Sequence, residues 1–150
     1  MVARGEPEQA IRPTDSIKVF DPQGQPSELI IRRSDDFQVA MEFEILTPLL
    51  RAFLGSFSYQ VKYFAEGFGP GPEYVLGVAG WLQTAPGQSI YNGTSPPNAK
   101  TLVQVNRNTL DVGVYRLAAM VTFRAGCPGQ PTRPIPLTAF VEGTVIEIYN

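Results

Sequence analysis

The sequence predicts an all-β domain, a two-sheet antiparallel sandwich with one short helix. Apolar and polar side chains alternate with a period of two in several segments. Clusters of proline and glycine separate these segments, as turns do in antiparallel sheets. The chain has 150 residues, which is the length of a single domain. Roughly eight or nine strands with such turns are typical of a sandwich or a barrel.

The clearest strand covers residues 37–45, where apolar side chains occupy every odd position. Other alternating segments lie around residues 17–19, 29–31, 59–65, 74–82, 103–105, 115–123 and 137–149. In the 74–82 segment, the pattern predicts that Tyr74, Leu76, Val78 and Leu82 face one way and Val75, Ala79 and Trp81 the other. The alternation of the last strand breaks near Gly143, which predicts a β-bulge.

Two segments depart from the strand pattern. Thr47, Pro48 and Gly55 are a capping residue, a first-turn proline and a terminating glycine, so residues 47–55 predict the short helix. Residues 1–14 are polar and contain two prolines, which predicts a flexible N-terminal arm or an edge segment. The sandwich domain is therefore expected to cover residues 15–150.

The chain has no histidine, which excludes serine and cysteine nucleophiles activated by histidine and histidine-containing zinc sites. We expect a protein that is not an enzyme and that holds no cofactor and no metal. An enzyme using carboxylates or Cys127 is the alternative. The pairs Asp35-Asp36 and Glu42/Glu44 fit a solvated surface better than a dyad or a calcium site, and Cys127 fits an inert thiol.

The net charge and the lengths of the apolar runs limit the classes of partner that the protein is expected to bind. The net charge is −2, with no basic stripe, so nucleic acid is not an expected partner. No apolar run reaches the roughly 18 residues of a membrane helix, so no membrane is expected either. One cysteine and no apolar signal-peptide core favour the cytoplasm, although a chain whose signal had been removed would look the same.

A short motif indicates which kind of β-sandwich the chain forms. Residues 109–117 read Thr-Leu-Asp-Val-Gly-Val-Tyr-Arg-Leu. This segment resembles the corner before strand F of immunoglobulin-like domains, in which Asp-x-Gly-x-Tyr follows a leucine. The resemblance implies an immunoglobulin-like sandwich in which the Tyr115 hydroxyl bonds to the backbone of the corner. Leu117 stands where that family has a cysteine, and a similar turn in another Greek-key sandwich is the alternative.

The same corner also resembles the one in the C-terminal sandwich domains of O-antigen ABC transporters, which bind sugar. No residue that contacts sugar carries over to this sequence.

Three long loops, residues 47–56, 84–99 and 125–136, are expected to meet at one end of the sandwich, where recognition loops usually lie. Proline limits their freedom and so lowers the entropy lost on binding. The candidate binding residues there are Arg51, Phe53, Tyr91, Asn92 and Arg133. The alternative is that the prolines only order the loops and that Phe53 and Tyr91 cap the core.

A second candidate surface is the outer side of the sheet formed by the 57–66, 73–83 and 115–124 strands. Alternation predicts that Phe64, Val75, Trp81 and Met120 point outward there. Such a neutral, aromatic surface suits packing against a partner or another copy. The alternative is a bulge at Gly80 that turns Trp81 into the core.

The sequence therefore favours a non-catalytic protein–protein interaction or structural module, which binds a protein partner or itself in a homo-oligomer. Binding would use either the loop cluster or the apolar sheet surface. The alternative is a carbohydrate-binding module in which Tyr91, Trp81 and Phe64 stack on the sugar rings of a glycan.

Overall fold

The computed structural model describes residues 11–14, 17–26, 29–46, 57–69, 73–84, 90–91, 100–126 and 133–150, with only the backbone for 134–137. These residues form eleven strands and no helix. The strands are β1 (Ile11–Pro13), β2 (Lys18–Phe20), β3 (Ile30–Arg32), β4 (Phe37–Ala40), β5 (Phe43–Ile45), β6 (Phe57–Gly67), β7 (Glu73–Gln83), β8 (Ile90–Tyr91), β9 (Val103–Val105), β10 (Gly113–Ala125) and β11 (Arg133–Tyr149).

The strands form three sheets. The largest has five strands in the order β3-β11-β10-β6-β7, and two smaller sheets have the orders β1-β5-β8 and β2-β4-β9. Every neighbouring pair is antiparallel except β3 and β11, which are parallel. The prediction of purely antiparallel pairing is wrong at that edge, because most of the chain separates β3 from β11 and no tight turn dictates their direction.

The five-stranded sheet packs against the two smaller sheets, which gives a β-sandwich-like arrangement. Phe43 of β5 shows this packing, since its ring meets Tyr59 of β6 and Phe123 of β10 edge-on at 5.2 and 6.0 Å between centroids. One cluster of buried apolar side chains collects residues from both layers. The odd-numbered residues of 37–45 and 115–123 belong to it, as the sequence predicted.

The predicted 37–45 strand is divided between the two smaller sheets. The chain bends at Met41 and Glu42, so that β4 lies in one sheet and β5 in the other. Thr101 stabilises this bend, because its buried hydroxyl donates to the Met41 carbonyl at 2.6 Å and accepts from the Met41 amide at 3.4 Å. Ala40, at an even position that regular alternation would direct away from the core, is fully buried.

Two irregularities change the phase of β7. Tyr63 of β6 pairs with Gly77, whereas the next residue, Phe64, pairs with Val75. In the same way, Tyr59 pairs with Leu82, whereas Gln60 pairs with Gly80. Each step leaves one extra residue on β7, which is the definition of a bulge. The first bulge reverses the predicted orientation of Val78, which is 44% exposed. Strict alternation could not anticipate this, because each extra residue inverts every side chain that follows.

The other predicted turns have mixed outcomes. The bulge near Gly143 is confirmed. Arg116 pairs with Val145 and Ala118 pairs with Glu142, so β11 has one extra residue between these two pairs. The Tyr115 hydroxyl donates to the Asp111 carbonyl at 2.8 Å, where the chain passes from β9 to β10 in different sheets. Ile11–Pro13, which the prediction placed in the N-terminal arm, form β1 beside β5. The helix predicted for residues 47–55 and the arm residues 1–10 lie outside the described residues.

Within the described ranges, the structure has no helix long and apolar enough to cross a membrane.

Candidate functional site: the outer face of the five-stranded sheet

The side of the five-stranded sheet that points away from the core is called the outer face. Its central side chains come from β6, β7, β10 and β11 and form two rows across the sheet. The first row is Val75, Phe64, Ala118 and Glu142, and the second row is Val78, Lys62, Met120 and Phe140. Alternation places these side chains outward, because the residues between them along β6 and β10 belong to the core.

The outer face is apolar at its centre. Phe140, Val75 and Val78 are 58%, 53% and 44% exposed, which is high for large apolar side chains. Phe64 and Met120 lie between them and are partly exposed. Ala118, the ladder neighbour of Phe64, is 5% exposed because the larger side chains around it cover it. The outer face therefore exposes several large apolar side chains, with Lys62 and Glu142 among them.

Charged side chains border this apolar centre at one end. Arg116 of β10 pairs across the ladder with Glu66 of β6, and its guanidinium lies 3.9 Å from the carboxylate of Glu142. Arg116 also lies over the ring of Phe68 at 5.3 Å. The ammonium group of Lys62 lies 5.4 Å from the centroid of the Phe64 ring, so its aliphatic stem adds to the apolar surface.

Trp81 lies at the other end of the outer face. It is the extra residue of the second β7 bulge, so the bulge of the alternative prediction is present. The indole nevertheless does not join the core cluster. It is partly exposed, and the guanidinium of Arg124 lies over it at 4.0 Å while the Arg124 Nε donates to Ser58 at 3.2 Å.

The predicted loop cluster is represented mainly by the strand ends that flank it. Ala125 pairs with Phe57 and with Arg133, and Ser58 pairs with Gln83, so these ends lie side by side at one end of the sheet. Arg133 is exposed there. Arg51, Phe53 and Asn92 lie outside the described residues.

Tyr91, predicted as a loop-cluster binding residue, lies in the core. It is 3% exposed and stacks on Phe43 with 5.2 Å between ring centroids. This placement agrees with the alternative that Tyr91 caps the core. The tyrosine is therefore not available to a ligand on the surface, because strand β8 directs its ring inward beside β5.

A cleft of about 470 Å³ opens at the opposite end of the molecule, where β11 ends. Tyr149, Arg32 and Asp35 line it together with Ile30 and the turn at residues 21–23. The guanidinium of Arg32 lies 5.8 Å from the Tyr149 ring centroid. We call this cavity the end cleft. The end cleft was not predicted from the sequence, since its walls come from separate turns.

The acidic pairs of the sequence have partners. Glu44 binds Arg12 at 2.6 Å, and Glu42 accepts a hydrogen bond from the Thr14 hydroxyl at 2.7 Å. In the end cleft, the backbone amide of Arg107 donates to Asp36 at 2.7 Å and lowers the pKa of that carboxyl group. These contacts fit structural roles, in agreement with the interpretation of the pairs as surface residues.

Comparison with known proteins supports the fold alone. No protein-family model matches the chain, and no curated protein matches it at a significant level. Among solved structures, the C-terminal domain of wzt is similar with a TM-score of 0.54 and 9% identity over 95% of this chain and 75% of that one. The PmoD soluble domain from Methylocystis sp. ATCC 49242 (Rockwell) has a TM-score of 0.32 and 15% identity over 89% of both chains. At this identity, the first similarity shows a shared β-sandwich-like fold.

The sequence identified part of the outer face. Phe64, Val75 and Met120 were predicted from alternation, whereas Val78, Ala118 and Phe140 were missed. Val78 was missed because of the β7 bulge. Phe140 stands out in the sequence only once the phase of β11 is known, because the bulge at Gly143 separates it from the regular end of that strand.

Proposed function

We propose that this domain is a non-catalytic protein–protein interaction module, and that its partner is a second copy of the same chain bound through the outer face. The observation that carries the proposal is the exposure of Phe140, Val75 and Val78 around Phe64 and Met120. Burying such side chains in an interface stabilises the complex by roughly 25 cal/mol for each Å² of apolar surface removed from water. The non-catalytic part rests on the absence of histidine from the chain.

The size of the outer face suits a second copy. Four long strands spaced about 4.8 Å apart, paired over lengths near 36 Å, present roughly 700 Å². A standard interface buries about 800 Å² on each partner. The apolar centre with charges at its border has the composition of such an interface. Sheet-on-sheet packing is also how the core of this protein is built.

Sedimentation velocity tests the proposal. We expect the purified protein to sediment as a dimer and Phe140→Asp to sediment as a monomer, because the new carboxylate would be buried without a partner. Val112→Asp is the matched control, since Val112 is 57% exposed but lies in the corner before β10. A wild-type protein that stays monomeric at the highest attainable concentration would overturn the proposal.

A carbohydrate-binding module is the second candidate, and the end cleft is the observation that favours it. Tyr149 is 38% exposed there and offers a ring for stacking, while Arg32 and Asp35 offer donors and acceptors for hydroxyl groups. The platform of Tyr91, Trp81 and Phe64 is not supported, because Tyr91 is buried and Arg124 covers Trp81.

A glycan array separates the two candidates. Saturable binding of a sugar that Tyr149→Ala abolishes and Trp81→Ala preserves would support the end cleft. If no glycan on a broad array binds and the wild-type protein is a dimer, the carbohydrate-binding candidate is excluded and the interaction module is supported.

We further infer that the sandwich is immunoglobulin-like. The hydrogen bond from Tyr115 to the Asp111 carbonyl and the passage of the chain between sheets at this corner support that inference. An experimental structure in which Tyr115 points away from Asp111 would contradict it.

A further inference from the structure

We propose that the two copies pack with their outer faces together about a two-fold axis that runs parallel to the strands, between β6 and β10. This inference rests on the proposed function and specifies which residues meet across the interface. It follows from the pairing of β6 with β10, in which Phe64 is the neighbour of Ala118 and Arg116 is the neighbour of Glu66.

A half-turn about such an axis exchanges strands without moving residues along them. β6 of one copy then lies opposite β10 of its partner, and β7 opposite β11. Residues that are neighbours across the β6–β10 ladder within one copy therefore face each other between copies. An isologous interface of this kind requires a surface that is complementary to itself.

Side-chain size satisfies that requirement in the first row. Phe64 is the neighbour of Ala118 in the ladder, so the half-turn places the Phe64 ring of one copy over Ala118 of the other. Ala118 is 5% exposed because larger side chains surround it, so the Phe64 ring of the other copy would pack against those side chains, and this contact occurs twice. Close packing of large against small side chains is a property of stable interfaces.

Charged side chains at the border of the outer face are also complementary to each other under this half-turn. Arg116 is the ladder neighbour of Glu66, so each Arg116 guanidinium faces the Glu66 carboxylate of the other copy. Both side chains are exposed to some degree in the single copy. Complementary charges at the edge of an interface fix its orientation and discourage other arrangements.

The second row adds apolar contacts. Met120 faces the aliphatic stem of Lys62, whose ammonium group is already turned toward Phe64. Phe140 of β11 faces Val78 of β7, and these are two of the most exposed apolar side chains of the outer face. The arrangement therefore covers Phe140 and Val78, and it places Val75 opposite the Glu142 carboxylate of the other copy, which Arg116 approaches at 3.9 Å within each copy.

A half-turn about β10 itself fits less well. It would set Arg116, which lies on β10, against its own copy, so that two guanidinium groups face each other across the interface. It would also cover fewer strands, because β3 is short and pairs only with the end of β11. The axis between β6 and β10 is the one that the pattern of side chains favours.

Charge exchange provides the first test. We expect Arg116→Glu and Glu66→Arg each to weaken the dimer by at least about tenfold, because each places like charges opposite each other twice. Mixing the two variants should restore a dimer, now a heterodimer in which both contacts are again attractive. Glu147→Arg is the control for net charge, since Glu147 lies on β11 outside these pairs and should neither weaken the dimer nor select Arg116→Glu.

Cross-linking provides the second test. In a Cys127→Ser background, Phe140→Cys mixed with Val78→Cys should be joined by a short bis-maleimide, whereas neither variant alone should be. Circular dichroism of each variant checks that it is folded.

The outcomes separate the two proposals. A wild-type dimer that Phe140→Asp dissociates, but that is indifferent to charge exchange and yields no mixed cross-link, would overturn the two-fold arrangement and leave the interaction module standing. A monomeric wild type would overturn both.

Discussion

The hydroxyl group of Tyr115 helps to close the corner before β10. It donates to the Asp111 carbonyl at 2.8 Å, and the ring is 5% exposed. We expect Tyr115→Phe to lower the free energy of unfolding by about 0.5–1.5 kcal/mol, the net contribution of one hydrogen bond. Urea denaturation measures this change. The exposed Tyr149→Phe should leave the midpoint unchanged, and an unchanged midpoint for Tyr115→Phe as well would argue against the role of this bond.

Thr101 carries a second residue-level prediction. Its fully buried hydroxyl bridges the amide and the carbonyl of Met41, where the chain passes between the two small sheets. Thr101→Val keeps the shape but leaves these buried groups without a partner, which should cost about 1–3 kcal/mol. Thr101→Ser keeps the hydroxyl and should cost less in the same denaturation experiment. A Thr101→Val variant as stable as the wild type, with a loss only in Thr101→Ser, would show that the methyl group, and not the hydrogen bonds, stabilises the bend.

At the scale of elements, the second bulge of β7 depends on Gly80. Its φ is +112°, and a Cβ atom there would lie 2.6 Å from the Tyr59 carbonyl oxygen. We expect Gly80→Ala to destabilise the protein by about 1–3 kcal/mol, the range for a strained backbone residue, with the clash added. Thermal unfolding measures the effect.

Gly69 provides the matched control for that substitution. Its φ is +101°, but a Cβ atom there would have no neighbour within 4 Å. Gly69→Ala should therefore show the cost of backbone strain without the clash. A loss of stability as large as that of Gly80→Ala would mean that close packing against Tyr59 is not what requires glycine in β7.

At the scale of the whole molecule, Phe43 joins the two layers. Its ring contacts Tyr59, Tyr91 and Phe123, and it is fully buried. Phe43→Ala should lower the free energy of unfolding by about 3–5 kcal/mol through lost burial and a residual cavity. Phe68→Ala, at a site that is 56% exposed, is the control and should change it far less. Similar denaturation midpoints for the two variants would contradict the assignment of Phe43 to the centre of the core.

The buried tyrosines make stability depend on alkaline pH. Burial, and secondarily the neighbouring Tyr91, raises the pKa of Tyr59 from 10.0 to about 12, and burial also raises the pKa of Tyr63. The unfolded chain releases these protons near pH 10, whereas the folded protein retains them. The free energy of unfolding should therefore be unaffected by these groups below pH 10 and fall between pH 10 and 12.

Denaturation midpoints across that range test the pH dependence. Tyr59→Phe removes one of the two groups, so the fall should be smaller in this variant than in the wild type. Identical pH profiles for the two proteins would show that Tyr59 ionises equally easily in the folded and the unfolded chain.

Much of the fold could be predicted from alternation, because a strand with one buried face repeats its pattern every two residues. Residues 37–45 and 115–123 follow that rule, and their odd-numbered side chains are buried. The bulge beside Gly80 entered only as an alternative, suggested by the glycine, and the first bulge of β7 was not anticipated, because alternation alone does not mark an extra residue. The candidate surfaces were predicted least well, because a bulge moved Val78 to the opposite side of the sheet and because the walls of the end cleft come from separate turns.

The sequence by itself determined the all-β class, the alternating core of the long strands and the corner at Tyr115, because each of these depends on neighbouring residues. Only the tertiary structure decided that residues 37–45 divide between two sheets, that Tyr91 lies in the core and that Phe140 and Val78 share a surface with Phe64. These facts depend on register between distant strands. A shift of one residue in that register moves a side chain from the core to the solvent.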